Sequence, residues 1–152
     1  MNLEKLHDFI LSAKAATYVG DGQTAPSSRP ESHDLAYQAG DYHYLDSYFG
    51  GSDFIGQEVV YHQGNPVWGM NYYGVLIKPD VITADEVGRM IKDSLSLMYR
   101  EGRFLGGWLH TRDDLTYHDT SHGDLTRFNG REWIEKESRV LYELVYHGGM
   151  IR

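Results

Sequence analysis

The stretch Phe54-Ile55-Gly56-Gln57-Glu58-Val59-Val60 recurs further along the chain as Phe128-Asn129-Gly130-Arg131-Glu132-Trp133-Ile134. Phenylalanine, glycine and glutamate occupy the same places in both copies. The match continues without a gap, and Tyr72, Gly74 and Ile77 are repeated as Tyr146, Gly148 and Ile151. An ungapped match of this length indicates an internal duplication, in which each unit needs the other to bury one face.

The repeated unit extends upstream of this motif. Tyr44-Leu45-Asp46 corresponds to Tyr117-His118-Asp119 after a slip of one residue. We therefore predict one domain over residues 1–152, with a first unit at about 1–78 and a second at about 82–152.

Each unit is predicted to open with a helix. Apolar residues at positions 3, 6, 9, 10, 13 and 16 have the spacing of one helical face, and Asn2 is a suitable N-cap. The second helix is predicted from about 84 to 100, because Thr83 and Glu86 form a capping-box pattern before a similar apolar series. The two series align, with Leu6 matching Val87 and Tyr18 matching Tyr99.

The remaining segments alternate with period two, are rich in aromatic and β-branched residues, and are separated by glycine-containing turns. This pattern is typical of antiparallel strands. We predict strands near 34–38, 41–49, 55–62, 66–77, 104–110, 115–119, 130–136 and 139–151. The fold class is therefore α+β, a duplicated helix plus antiparallel β-meander with about eight strands and two main helices.

The last strand of each unit has one apolar face, which we predict to be the core. That face comprises Trp68, Met70, Tyr72 and Leu76 in the first unit, and Tyr142, Leu144, Tyr146 and Met150 in the second. The opposite face is mixed, since it carries Asn71 and Tyr73 in one copy and Glu143 and His147 in the other.

Residues 20–33 are rich in turn formers and have no counterpart in the second unit. This segment is predicted to be a mobile loop. It is either a binding loop that covers a site or a tolerated surface insertion.

Composition excludes several classes of protein. The formal charge is −8, with 14 basic against 22 acidic residues, which opposes direct contact with nucleic acid phosphates. There is no cysteine, so a disulfide framework and a thiolate nucleophile are both excluded. No apolar run is long enough to cross a membrane and the first residues include acids, so we expect a cytoplasmic protein. We further expect a monomer or homodimer that has no cofactor.

The segments from Phe54 to Gly74 and from Tyr142 to Gly149 resemble an uncharacterised bacterial domain family of unknown function. The most specific marks are Met70-Asn71-Tyr72-Tyr73-Gly74 and Tyr146-His147-Gly148-Gly149. Related domains sometimes follow a helix-turn-helix segment in regulators, so the resemblance implies a ligand-sensing role. It implies no catalytic residues.

Glu58 and Glu132 are the first candidate site residues, because each lies on the same strand face as an aliphatic neighbour. A carboxylate on such a face costs stability unless it has a partner. The pair either binds a polar ligand or serves as acid and base, or each glutamate accepts hydrogen bonds within its own unit. The residues alone leave both interpretations open.

A second group of candidates lies near the repeated glycines. Asn71, Tyr73, Tyr146 and His147 combine aromatic surface with polar groups, which suits a planar small molecule. The alternative is that most of these aromatic residues only pack the domain. With the two glutamates they complete the predicted ligand-binding set.

The segment from His118 to Asp124 is a weak candidate for a metal site. His118, Asp119, His122 and Asp124 supply enough ligand atoms for a divalent ion, but their spacing matches no established metal motif. A solvated turn explains the same composition.

Three functional hypotheses follow. The leading one is a non-enzymatic domain that binds a small molecule, nucleotide-like or aromatic, in a cleft between or beside the repeats. The second is a hydrolase or lyase that uses Glu58 or Glu132 with His147 or His118. The third is an acidic protein–protein module that inhibits or regulates a partner.

Overall fold

The first helix is held at its start by a side-chain cap. A computed structural model describes residues 2–19 and 24–152. Helix α1, Leu3–Lys14, begins after Asn2, whose side chain accepts a hydrogen bond from the amide of Lys5. The helix continues as a π-helical turn over Ala15–Val19.

The second helix, α2, comprises Ala84–Arg100 and begins with the predicted capping box. The Thr83 side chain accepts a hydrogen bond from the Glu86 amide, and the Glu86 carboxylate accepts one from the Thr83 amide. Both predicted helices are confirmed. Within the described residues no helix combines the length and apolar content that a membrane crossing requires.

All the strands in the described ranges belong to one antiparallel sheet, in the order β1-β2-β3-β4-β5-β9-β8-β7-β6. They are β1 Thr24–Ala25, β2 His33–Ala39, β3 Tyr42–Gly50, β4 Phe54–His62, β5 Asn65–Leu76, β6 Trp108–Arg112, β7 Leu115–Asp124, β8 Arg127–Lys136 and β9 Arg139–Met150. The α+β class is confirmed, with nine strands instead of the predicted eight because β1 is a two-residue strand without a detectable alternation.

Strand β8 begins at Arg127 and not near 130, and two further strand boundaries differ from the prediction for local reasons. Strand β6 begins at Trp108 and not at 104, because Gly106 and Gly107 both have positive φ and the Arg103 guanidinium binds the carbonyls of Leu105 and Gly107. Strand β7 extends beyond 119 to Asp124, because its polar end still pairs with β8.

The two meanders meet at the centre of the sheet, where β5 pairs with β9 and Tyr72 lies directly opposite Tyr146. On either side the motif residues pair in the same way. Phe54 lies opposite Gly74 in the first half, and Phe128 lies opposite Gly148 in the second. A register shift follows the motif in both halves.

Both helices pack on one face of the sheet, which we call the inner face. Leu6 and Ile10 of α1, Ile91 of α2, and Trp68 and Tyr142 of the central strands are fully or almost fully buried in one core cluster. The predicted core face of β5 and β9 is therefore correct. Four residues of that face are only half-buried, namely Met70, Tyr72, Leu76 and Met150.

The predicted mobile loop, 20–33, is in part well connected. Residues 20–23 lie outside the described residues. From Thr24 onward, β1 pairs with β2, and the buried Asp34 carboxylate accepts hydrogen bonds from Ser28, Ser32 and Ser47. The mobility of this segment stays a prediction.

Candidate functional site

A narrow cavity lies between the helices and the inner face of the sheet. Its volume is about 70 Å³, and a wider cleft of about 560 Å³ adjoins it beside the first half of α2. We call these the inner cavity and the outer cleft. Both are lined by Tyr18, Asp46, Phe54 and Tyr72, which form the boundary between the cleft and the cavity.

Four carboxylates line the inner cavity in two cross-strand pairs. Asp46 lies directly opposite Glu58, and Asp119 lies directly opposite Glu132. All four residues are at most 6% exposed. Like charges placed opposite each other in an antiparallel sheet are destabilising, and burial increases the cost.

Each aspartate is reached by a tyrosine that crosses a glycine. The Tyr72 hydroxyl donates to Asp46 Oδ1 at 2.7 Å, and the Tyr146 hydroxyl donates to Asp119 Oδ2 at 2.9 Å. A Cβ atom on Gly56 would fall 2.3 Å from the Tyr72 Cζ atom. A side chain at this position would therefore occupy the path of the tyrosine.

The second half is built in the same way. A Cβ atom on Gly130 would fall 2.2 Å from the Tyr146 Cζ atom. Phe54 lies across Gly74, where an added Cβ would come within 2.5 Å of the phenylalanine ring. The repeated Phe-x-Gly-x-Glu motif thus combines an aromatic ring, the gap that a tyrosine crosses, and a buried carboxylate.

The two glutamates have different partners. Lys14, at the end of α1, donates to both carboxylate oxygens of Glu58, with Nζ–O distances of 2.6 and 2.8 Å. This ion pair is buried, since Lys14 is only 5% exposed. Its ammonium also lies 5.5 Å from the centroid of the Phe104 ring, within the range of a cation–π interaction.

Glu132 is bound by two tyrosines and by no cation of the described chain. The Tyr117 hydroxyl donates to Oε2 at 2.5 Å and the Tyr142 hydroxyl donates to Oε1 at 3.0 Å. The residue that matches Tyr142 in the first half is Trp68, whose ring nitrogen instead donates to the carbonyl of Leu125. The halves therefore stabilise their buried glutamates by different means, with an ammonium group in the first and two neutral hydroxyl donors in the second.

Burial changes the acid–base properties of the aspartates. Burial, and then the charge of Glu58, raise the pKa of Asp46 to about 7. Burial, and then the charge of Glu132, raise the pKa of Asp119 to about 7. Burial also raises the pKa of Glu132. Each aspartate can therefore exchange a proton near neutral pH.

The predicted ligand-binding residues do not share one site. Glu58, Glu132 and Tyr146 line the inner cavity. Asn71, Tyr73 and His147 are exposed on the opposite, outer face, where the Asn71 side chain accepts a hydrogen bond from Gln57. Strand alternation causes the division, because neighbouring residues of β5 and β9 point to opposite faces.

The four residues of the weak metal alternative do not converge either. His118 stacks on Trp133 at 4.6 Å, whereas Asp119 accepts the Tyr146 hydrogen bond on the inner face. Asp124 accepts hydrogen bonds from Thr126 in the β7–β8 turn. Across residues 2–19 and 24–152, no group of three histidine, aspartate or glutamate side chains could hold a metal ion.

Three residues of the cavity were missed as ligand-site candidates: Lys14, Asp46 and Tyr72. The alignment of Asp46 with Asp119, after a slip of one residue, indicated a repeated acid. Tyr72 corresponds to Tyr146 in the repeat, which was a signal of the same kind. Lys14 gave no signal, because a lysine beside an apolar helical stripe is usually solvated.

Comparison with known proteins identifies a family whose function is unknown. Residues 46–151 match the family described as a domain of unknown function, DUF5680. No curated protein matches the chain. No solved structure matches it either.

Gly56→Ala should lower the free energy of unfolding by about 1–3 kcal/mol, the usual cost of overpacking. The added methyl group forces Tyr72 away from Asp46. Urea unfolding measures the loss. Gly88→Ala is the control, because its methyl group meets no atom within 4 Å and a helical alanine should add about 0.5–1 kcal/mol. Equal effects of the two changes would contradict the crossing of Gly56 by Tyr72.

Asp46→Asn should stabilise the protein by about 1–3 kcal/mol at pH 8 and change little at pH 5. The pKa of Asp46 is about 7 in the folded protein and about 3.9 in the unfolded chain, so the folded state binds more protons between these values. Its contribution to stability therefore falls as pH rises from about 4 to about 7. Asparagine still accepts the Tyr72 hydrogen bond and has no charge to bury.

Denaturant unfolding of both proteins at pH 5, 6, 7 and 8 tests this dependence. Asp80→Asn, at an exposed position, is the control. Its free energy of unfolding should differ from that of the unmodified protein by the same amount at all four pH values. A constant difference between Asp46→Asn and the unmodified protein would show that Asp46 does not titrate in this range.

Glu58→Gln should lower the free energy of unfolding by about 3–5 kcal/mol, because it leaves the buried Lys14 ammonium without a counter-charge. Adding Lys14→Met should recover most of this loss. Glu132→Gln should cost about 1–3 kcal/mol, since only charge-assisted tyrosine bonds are weakened.

Glu143→Gln is the matched control for the ion pair, because Glu143 binds Arg131 in a partly exposed pair that should contribute less than about 1 kcal/mol. Thermal and urea unfolding of all four variants gives the comparison. If the double variant were no more stable than Glu58→Gln alone, the ion pair would not explain the loss.

Proposed function

The chain belongs to the DUF5680 family, whose function is unknown, and we propose that it binds a small molecule through the inner cavity and the outer cleft without transforming it. One observation carries the proposal. Two pairs of like-charged carboxylates are buried opposite each other in a cavity, at a cost to stability that the fold alone does not require. Strain of this kind is typical of binding and active sites.

The shape of the site agrees with a ligand that has a broad body and a narrow end. The outer cleft has the volume of a small-molecule site, whereas the inner cavity admits only a slender group. Phe54 and Tyr18 supply aromatic walls between the two. The carboxylates repel phosphate, so an aromatic ligand is favoured over a nucleotide.

We infer that the site was formed by duplication of one helix-plus-meander unit. The matching registers of the two halves and the two equivalent tyrosine–aspartate pairs support this inference. The superposition of residues 1–78 on 82–152 tests it.

Acid–base catalysis is the second candidate. The histidine form of this hypothesis has no support from the geometry, since His118 and His147 are not among the residues lining the inner cavity in the described ranges. Two buried aspartates with pKa values near 7 favour a lyase or hydrolase that uses Asp46 or Asp119 instead. The acidic protein–protein module stays the third hypothesis.

Native mass spectrometry of protein purified from cells should show a retained small molecule. Leu105→Trp fills the inner cavity and should abolish this adduct, because Leu105 lines it. Leu109→Trp is the control, since Leu109 is 64% exposed, and it should retain the adduct.

Four outcomes separate the hypotheses. An adduct that persists in Leu105→Trp would place the ligand elsewhere and contradict the proposal, as would the absence of any adduct. If fresh protein converts the released molecule into a product, the enzyme hypothesis is correct. If the molecule is recovered unchanged, binding is correct.

A further inference from the structure

We propose that the ligand is an organic cation, and that its ammonium or guanidinium group binds the Asp119–Glu132 pair as Lys14 binds Glu58. This inference rests on the proposed function of the inner cavity, and it names the chemical class of the molecule. Four observations carry it: the charge of the cavity, the internal ammonium, the difference between the two halves, and the route into the site.

The charged lining of the inner cavity is unbalanced. Four carboxylates face one ammonium, that of Lys14, among the described lining residues. Arg103 is not among the lining residues, and its guanidinium binds the carbonyls of Leu105 and Gly107, so its charge lowers the pKa of Asp119 only from outside the cavity. The imbalance is complete only above about pH 7, where Asp46 and Asp119 have lost their protons, and a cationic ligand would reduce it there.

Lys14 shows how the site holds an ammonium group. Its Nζ atom lies between both carboxylate oxygens of Glu58 and the face of the Phe104 ring, and the residue is almost completely buried. Charge-assisted hydrogen bonds and a cation–π interaction together replace the water that the ammonium loses. The Lys14 ammonium thus occupies, within the protein itself, the kind of position that we propose for the ammonium of a ligand.

The second half has the carboxylates and lacks the lysine. The helix alignment that matches Leu6 with Val87 and Tyr18 with Tyr99 places Leu95 where α1 has Lys14. Leu95 lines the same cavity, beside Tyr99. Helix α2 therefore contributes an apolar and an aromatic side chain to the cavity that holds the Asp119–Glu132 pair, where α1 contributes an ammonium.

The route into the cavity also suits a cation. The residues shared by the outer cleft and the inner cavity are three aromatic rings, Tyr18, Phe54 and Tyr72, and one carboxylate, Asp46. Asp46 is 3% exposed, and within the described chain only its Oδ1 atom accepts a side-chain hydrogen bond. Within residues 2–19 and 24–152 its second oxygen has no side-chain donor, so it can accept a hydrogen bond from a ligand cation where the cleft and the cavity meet.

Two probes of similar size test the charge class. Phenethylamine is a cation at pH 7.5, and 2-phenylethanol has the same ring and chain without the charge. Isothermal titration calorimetry should show that the unmodified protein binds the amine at least tenfold more tightly than the alcohol. Asp119→Asn should remove most of this preference.

Leu95→Lys supplies the missing ammonium from α2 and should abolish amine binding, whereas Leu95→Met, of similar length and without charge, should retain it. Circular dichroism and thermal unfolding show whether each variant is folded. If Leu95→Lys does not fold, the Asp119→Asn result decides the question.

The outcomes distinguish this inference from the proposed function. Equal binding of amine and alcohol would overturn the cation class and leave small-molecule binding supported. Amine binding that Asp119→Asn does not weaken would overturn the assigned carboxylates. If neither probe binds, the cation inference is overturned, and the proposed function then depends on the native mass spectrum.

Discussion

The structure depends on a tyrosine that crosses a glycine to reach a buried aspartate. This contact occurs once in each half, from Tyr72 to Asp46 and from Tyr146 to Asp119. It links the central strand to a strand two positions away, over the flat surface that Gly56 or Gly130 provides. Because the tyrosine occupies the space above the glycine, strand pairing, aromatic packing and the position of the aspartate are all determined together.

The same contact explains how the fold tolerates so much buried negative charge. Burial and the neighbouring aspartates raise the pKa values of Tyr72 and Tyr146 above their usual range, so both hydroxyls keep their protons and remain donors. The aspartates in turn have pKa values near 7, and each can be protonated at little cost. The cavity can therefore adjust its charge to its contents.

Much of the fold could be predicted because its signals are local. The capping box of Thr83 and Glu86 marks the start of α2, and strict alternation marks the long strands. The start of β6 was harder to predict from the sequence, because it depends on the Arg103 guanidinium, which binds two carbonyl groups of its own loop. The two-residue strand β1 is too short to have a period.

The candidate site was only partly predictable, because it depends on which residues lie opposite each other. Glu58 pairs with Met70 and so shares the face of Tyr72, not that of Asn71 or Tyr73. Period two separates the faces of one strand, but only the register between strands combines them into a site. The contact between Lys14 and Glu58 is more remote still, since it joins a helix end to a strand 44 residues away.

The differences between the halves tell more about function than their likeness does. The shared tyrosine, glycine and aspartate are sufficient to explain packing, because they serve each half equally. Two differences between the halves have no such explanation, because each changes the partners of a single glutamate. Lys14 in place of Leu95 gives Glu58 its ammonium, and Tyr142 in place of Trp68 gives Glu132 a hydroxyl donor. Two identical halves would neutralise their carboxylates identically and leave no preferred place for a ligand. A cavity in which one carboxylate pair binds an ammonium and the other binds only tyrosine hydroxyls has a direction, and a small molecule can bind it in one orientation.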